Sequence, residues 1–413
     1  MFALLKLAWR NLWRSKRRTL ITSLSVAGAV WMAVTFLGIG EWAYNDMVAK
    51  SAAMGFGHVS IAADGYNDAP SIAKRLPEAG ALVKATEATE GVQAVIPRII
   101  GQGMFATARK TAGGLLMGID PKVDTAERNL FVRKLKDGKM FAADDLRGAI
   151  VGARMAKTMG LKLGSKLVWT ATDVQGEVIS EVARVRGTFE TGVAEVDSSS
   201  VLLPIEQARK VLGMKEGAAT VVAVFLEDHR DADGMAKLLS GKAGKGTETL
   251  TWKQTQPEMA SYVQVDRASN EFFQLLIGLV VAAGILNTML MGVLERKREL
   301  GVLLAIGMHP MRLFVLVMLE SALVGVLGLF IGTVLVLPWA WFLHNTGIDL
   351  SGMMSEQIDV ANVAFDMRIH IRLADVHWYA IPAAVLMLTM SAALYPAAKA
   401  ARLEPIDSLR ALQ

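Results

Sequence analysis

Most residues placed to do chemistry fall in one short stretch. Residues 294–310, LERKRELGVLLAIGMHP, set Glu295, Arg296, Lys297, Arg298 and Glu299 in a row between two apolar runs. An apolar turn follows (Val302, Leu303, Ala305, Ile306), then Gly307 and Pro310, which stop a helix. Lysine and arginine alone would suffice to fix a loop on the cytoplasmic side of a bilayer. The two glutamates and the second amphipathic turn exceed that need, and a mixed-charge apolar helix offered to solvent reads as a docking surface for a protein partner. A second group stands apart: Glu320 is a carboxylate deep inside an apolar run. Such a group is costly in hydrocarbon and invites a functional reading. No second acid or basic partner accompanies it in the other apolar runs. A carboxylate hydrogen-bonded between helices, or facing a dimer interior, is therefore expected rather than a proton carrier.

A phosphate-cradling loop needs G-x-x-x-x-G-K-[ST] between a strand and a helix. The nearest strings begin at Gly160 and Gly241, lack that spacing and read as turns. No G-x-S-x-G or H-E-x-x-H constellation occurs. Asp197-Ser198-Ser199-Ser200 has no histidine nearby in sequence and reads as a polar loop or strand edge. With no cysteine and six scattered histidines, no metal site is expected.

The elements that position these residues follow from hydropathy. The chain has 413 residues, 53% of them hydrophobic. About 20 apolar residues cross a bilayer, and residues 19–40, 272–294, 313–343 and 376–398 each qualify. Lys6, Arg10, Arg14 and Lys16 to Arg18 precede the first run, while acids dominate the loop before the last. The positive-inside rule puts both termini and the 295–312 loop in the cytoplasm. Topology thereby accounts for the basic balance, and no nucleic-acid partner is implied. Lys6, Arg10 and Arg14 share one helical face and Leu5, Ala8, Trp9 and Leu12 another, as in an amphipathic helix on the inner membrane surface. Gly325, Gly328 and Gly332 offer a helix-packing face, with the 328/332 pair at G-x-x-x-G spacing.

Residues 43–266 alternate short apolar and polar runs with Gly/Pro/Asp punctuation. Strands are predicted around 58–61, 94–100, 115–119, 166–172 and 220–226, and helices over 73–90, 149–159 and 205–212. The predicted fold is a polytopic α-helical membrane protein: four transmembrane helices, with a large α+β extracytoplasmic domain inserted between helices 1 and 2. Its segments are an amphipathic helix (1–18), spans at 19–42, 267–294, 312–343 and 376–398, the inserted domain (43–266), a charged connecting helix (295–311), an outer loop (344–375) and a tail (399–413). The inserted domain is expected to divide in two, at a boundary the sequence does not mark.

Residues 287–307, NTMLMGVLERKRELGVLLAIG, resemble the signature loop of the MacB/LolC/FtsX permeases, the type VII ABC transporters. The resemblance extends to Ala8-Trp9-Arg10-Asn11-Leu12 with Arg14, Arg18 and Thr19, and to the tail from Tyr395 to Leu403, Glu404, Pro405 and Leu409. Within the insert, residues 116–121, 151–164 and, most tellingly, 187–197 (GTFETGVAEVD) are similar to the periplasmic domain of lipoprotein-releasing LolC/LolE permeases. The resemblance implies that residues 294–306 are a coupling helix seated in a groove of a separate ATPase subunit dimer. Glu295 and Glu299 would be its charged contacts, with Arg296, Arg298, Gly301, Ala305 and Gly307 completing the ATPase-coupling site. It implies a multi-pass protein of the bacterial inner membrane, paired with a second permease copy or paralogue. ATP and Mg would lie on the partner, leaving this chain a transport subunit without cofactor or catalysis. No ATPase domain is fused at either end here, unlike the MacB exporters. Membrane lipid, a lipoprotein cargo and a periplasmic carrier are the further partners implied. The alternative is a mechanotransmission complex that drives efflux or activates a cell-wall hydrolase.

Overall fold

The computed structural model describes residues 2–142, 144–350, 352, 359–360, 363–364, 368–376 and 378–403. Glu404, Pro405, Leu409 and Arg410 of the tail, and Glu356 and Asp366 of the outer loop, lie outside the described residues. Two compact units are present. One comprises residues 1–43, 265–351 and 368–413, the other residues 44–264 and 352–367.

The first unit is helical. Its elements are α1 (Phe2–Arg14), α2 (Lys16–Ala53), α3 (Pro257–Glu295), α4 (Lys297–Ala305), α5 (Pro310–Asn345) and α6 (Ala380–Ala401), with the far ends of α2 and α3 belonging to the second unit. Four of these, α2, α3, α5 and α6, are long and apolar enough to cross a membrane. α2, α3 and α5 outrun their apolar runs because helix continues wherever good helix formers continue, beyond the hydrocarbon limit, whereas α6 starts at Ala380, four residues after the predicted start of the last span at 376. α2 runs on through Tyr44 to Ala53, and α3 starts at Pro257. At the start of α5, the Nδ1 of His309 accepts the Met311 amide at 3.2 Å, and Pro310 takes the first helical position. Val26, Val30 and Val34 of α2 share a buried cluster with Ile285, Val336 and Val385.

The second unit carries a ten-stranded sheet. The strands are β1 (Val59–Ala63), β2 (Val92–Ala106), β3 (Thr111–Ile119), β4 (Leu135–Gly138), β5 (Gly148–Gly152), β6 (Lys166–Thr172), β7 (Val178–Phe189), β8 (Ser200–Pro204), β9 (Val221–Leu226) and β10 (Thr247–Thr251). β2 pairs with β3 and with β6, β3 with β8, β8 with β5, β5 with β7 and β7 with β6. These six strands close into a ring. Phe105, Leu116, Val151, Trp169, Val185 and Leu203, one from each strand, fill it. Of the remaining strands, β4 pairs with β7 of the ring, while the other three extend from β2 as an open sheet, β10-β1-β9-β2, whose core joins Ile61, Val95 and Val224 to Leu239 and Trp252. β2 belongs to both parts: Val92 to Arg98 face β9, while Ile99 to Ala106 face β3.

Two predicted helices are shorter than expected. Residues 148–152 form β5, and only Ala153–Met159 are helical. All five β5 residues are buried, and a Cβ on Gly152 would lie 2.2 Å from the Asp197 carbonyl oxygen, so the strand's close neighbours override the helical pattern. The 73–90 helix shrinks to Ala79–Glu87. Pro77 disfavours helix at Leu76, whose amide and carbonyl bond Ala219 instead. Residues 197–199 end a short helix, and Ser200 opens β8. Asp197 is buried and accepts from the Thr191 amide at 2.8 Å and the Thr191 hydroxyl at 2.7 Å. It organises the preceding turn.

Candidate functional site

The charged stretch is helical, and it is interrupted once. α3 ends at Glu295, Arg296 is a turn residue (φ −101°, ψ 14°), and α4 begins at Lys297. On the other side, α1 and α2 are interrupted at Ser15. There the Thr19 hydroxyl donates to the Leu12 carbonyl at 2.7 Å, satisfying a group that the break releases.

The two breaks face each other through charges. Arg14 and Arg18 flank Ser15; Glu295 and Glu299 flank Arg296. Arg14 reaches Glu299 at 2.7 Å and Arg18 reaches Glu295 at 3.0 Å. Gly292 makes room for this, since a Cβ there would stand 2.7 Å from the Arg18 guanidinium carbon. Behind these outer pairs lies a better-shielded centre. The Nη1 of Arg296 donates to both carboxylate oxygens of Glu320, at 3.1 and 3.2 Å, and the Nδ2 of Asn11 donates to Oε1 at 2.6 Å. The Arg296 and Glu320 side chains are 18% and 13% exposed, against 67% and 42% for Arg14 and Glu299. Glu320 thus has a basic partner, but on the connecting turn rather than in another span. Glu320 is the eleventh residue of α5, about 15 Å from its start at 1.5 Å per residue, and α1 packs against this stretch through Ala8 and Leu12, which share a buried cluster with Leu316 or lie beside it. A cavity of about 30 Å³, lined by Asn11, Ser15, Arg18, Thr288, Arg296 and Glu320 among others, adjoins the centre. That is room for a water molecule among polar partners.

What the coupling segment leaves exposed is a stripe. Leu300 and Gly301 are buried; Arg298, Val302 and Ile306, spaced by four, are exposed, as is Ala305. Gly307 (φ +97°) ends the helix in a conformation that favours glycine. Farther along α5, a Cβ on Gly328 would lie 2.5 Å from the Val26 Cβ, and one on Gly325 would lie 3.1 Å from the Thr389 methyl. Gly332 comes as near to Val30 and Ala27. Sequence reasoning gave no role to Asn11, Arg14, Arg18 or Gly292 in this site. They lie in stretches that resemble the family, but the one hint of their pairing is the i, i+4 spacing of Arg14 and Arg18, matched by that of Glu295 and Glu299.

Four helices long and apolar enough to cross a membrane, with a large α/β domain between the first and second and a charged helix between the second and third, are the layout of a multi-pass membrane protein. Residues 19–241 match the MacB-like periplasmic core domain, and residues 271–405 match the FtsX-like permease C-terminal domain. The chain belongs to the MacB/LolC/FtsX-type family of ABC transporter permeases. It is 25% identical to the lipoprotein-releasing system transmembrane protein LolC of Neisseria meningitidis over 348 residues, 80% of each chain. It is 23% identical to the pyoverdine export ATP-binding/permease protein PvdT of Pseudomonas syringae over 97% of this chain and 58% of that protein. Among solved structures, the periplasmic region of MacB from Actinobacillus actinomycetemcomitans is 15% identical, with a TM-score of 0.35, over 51% of this chain and 95% of that one.

Proposed function

We propose that this chain is the inner-membrane permease subunit of an ABC system that draws lipoproteins from the outer leaflet, powered by an ATPase on a separate chain. The exposed stripe Arg298-Val302-Ile306, running along α4 to the residue that caps it and set apart from the buried Leu300 and Gly301, carries the docking part of this reading. An i, i+4, i+8 stripe is what a helix lays into a partner's groove. In this reading hydrolysis comes from that partner. With the segment cytoplasmic, as the basic residues around it require, the partner meets ATP. Glu295 and Glu299, already paired to Arg18 and Arg14, would serve docking only by exchanging those contacts. The likeness to LolC over four-fifths of both chains supports the lipoprotein cargo.

The permease should co-purify with an ATPase and stimulate its hydrolysis, and Val302→Asp with Ile306→Asp should abolish both. In proteoliposomes, the complex should release lipoprotein to a soluble acceptor. ATPase capture unaffected by the double change would defeat the docking reading. Hydrolysis without lipoprotein release would defeat the cargo reading and favour an efflux-type complex, which the alignment along nearly the whole chain with a pyoverdine exporter supports.

A further inference from the structure

Leu294, Glu295, Arg296, Lys297 and Arg298 are all good helix formers, with no glycine or proline among them. A helix running through this stretch has no local reason to stop. Sharp kinks in long helices trace to proline, to glycine or serine, to π-bulges, or to a side chain or water that intrudes on the backbone ladder. Arg296 has no proline, glycine or serine beside it, and its carbonyl still accepts the Leu300 amide at 3.0 Å; what distinguishes the position is where its side chain is held. The Glu320 carboxylate holds its guanidinium through two oxygens, and Asn11 holds that carboxylate in turn.

We infer that Glu320 is a positioning residue for coupling: by holding Arg296 it imposes the break between α3 and α4 and so fixes the direction of the docking stripe. The inference rests on the proposed docking of a partner at α4, but its first test does not. Among the pairs at this site, the Arg14–Glu299 bridge is largely exposed, and such pairs contribute little. The Arg296–Glu320 pair is shielded and shares its carboxylate with Asn11, so a change there leaves charge stranded in a poorly hydrated place. Two alternatives for α3–α4 compete: a broken helix with Arg296 on Glu320, and a continuous one with Arg296 released. A helix pair with two discrete arrangements is the kind of element through which one site biases another.

The absence of cysteine from the chain makes the test direct. Spin labels at Ile306→Cys, on the segment after α4, and Phe330→Cys, on α5, both exposed positions, report the separation of the two helices in the full-length permease in nanodiscs, diluted with unlabelled chain. Glu320→Ala should shift the balance toward the continuous helix by about tenfold, the loss expected for hydrogen bonds to a charged group, and so move and broaden the distance distribution. Glu320→Gln, which keeps the shape and an acceptor for Asn11, should give an intermediate distribution and serves if the alanine variant does not reach the membrane. Exchanging the charges, Glu320→Arg with Arg296→Glu, should restore the original distance. In complex with a co-purified ATPase, Glu320→Ala should lower maximal stimulation while leaving half-saturation nearly unchanged, because the docking stripe is intact but misdirected. Distance distributions that coincide for the wild type and both Glu320 variants would overturn the inference. Failure to capture any ATPase would count against the proposed function alone.

Discussion

Deep in the second unit, Arg98 and Asp124 are both fully buried and ion-paired. Arg98 Nε lies 3.1 Å from Asp124 Oδ1, its Nη2 donates to the Arg128 carbonyl at 3.0 Å, and Asn129 donates to Asp124 at 3.1 Å. The remaining nitrogen, Nη1, has no hydrogen-bond partner among the described residues, and the guanidinium carbon stands 5.7 Å from the centre of the Phe225 ring. Removing one member of such a pair strands a charge and costs about 3–5 kcal/mol. Asp124→Ala should therefore consume a large share of the roughly 5–15 kcal/mol available to a folded domain. At about 2–4 °C per kcal/mol for a domain of this size, the unfolding midpoint of the detergent-solubilised permease should fall by some 6–20 °C. Adding Arg98→Met removes the stranded charge and keeps much of the volume, and replacing a buried ion pair by apolar groups is often neutral. The double variant should recover most of the loss. Circular dichroism of the sheet signal during a thermal scan, read beside a urea titration at 25 °C, measures both. A double variant as unstable as Asp124→Ala alone would refute the reasoning, since the stranded charge would then not be the cause.

Packing and pH give two further expectations. Gly328→Leu places a Cβ 2.5 Å from Val26 Cβ and 2.9 Å from the Ser23 carbonyl oxygen, so α2 and α5 must part. Overpacking of this kind costs about 1–3 kcal/mol; thermal inactivation of the purified permease should show it, and Val26→Ala should partly relieve it. His58 accepts the Leu226 amide at 3.0 Å on Nδ1. Burial, reinforced by the neighbouring His229 and opposed by Asp228, lowers its pKa from 6.5 to about 4. The unfolded chain therefore takes up the proton first, and stability present above pH 6.5 is lost as pH falls toward 4. A unfolding-midpoint profile with no extra slope in that window relative to His58→Asn, or an imidazole that titrates near 6.5 by NMR, would contradict this.

The spans and much of the sheet were legible because hydropathy and alternation are local signals. The 166–172 strand matches the residues of β6, and three of the four apolar runs fall inside long helices, the fourth (376–398) starting four residues before α6 does at Ala380. The strand at 148–152 was not legible: its apolar run continues into a real helix, and only pairing with β7 and β8 distinguishes the two. Nor could a boundary in the inserted domain be found, because β2 serves both the ring and the open sheet. At the candidate site, the charged helix and Glu320 stood out by composition. Their partners did not. Asn11 and Arg18 lie 309 and 277 residues from Glu320 and Glu295 in sequence, and each is unremarkable in its own basic, amphipathic surroundings.

The closed ring also sets an order of events during synthesis. β3 pairs with β8 in parallel, joining Leu115 to Ser200 across about 85 residues of chain, and contacts so distant in sequence form slowly. Until β8 has been made, the β2–β3 hairpin has no strand to close it, and its apolar face and free edge are the features that invite wrong pairing. This part of the nascent protein is one that a holding chaperone would have to recognise, and mutations that lengthen the 120–200 connection would burden production before they affected the finished molecule.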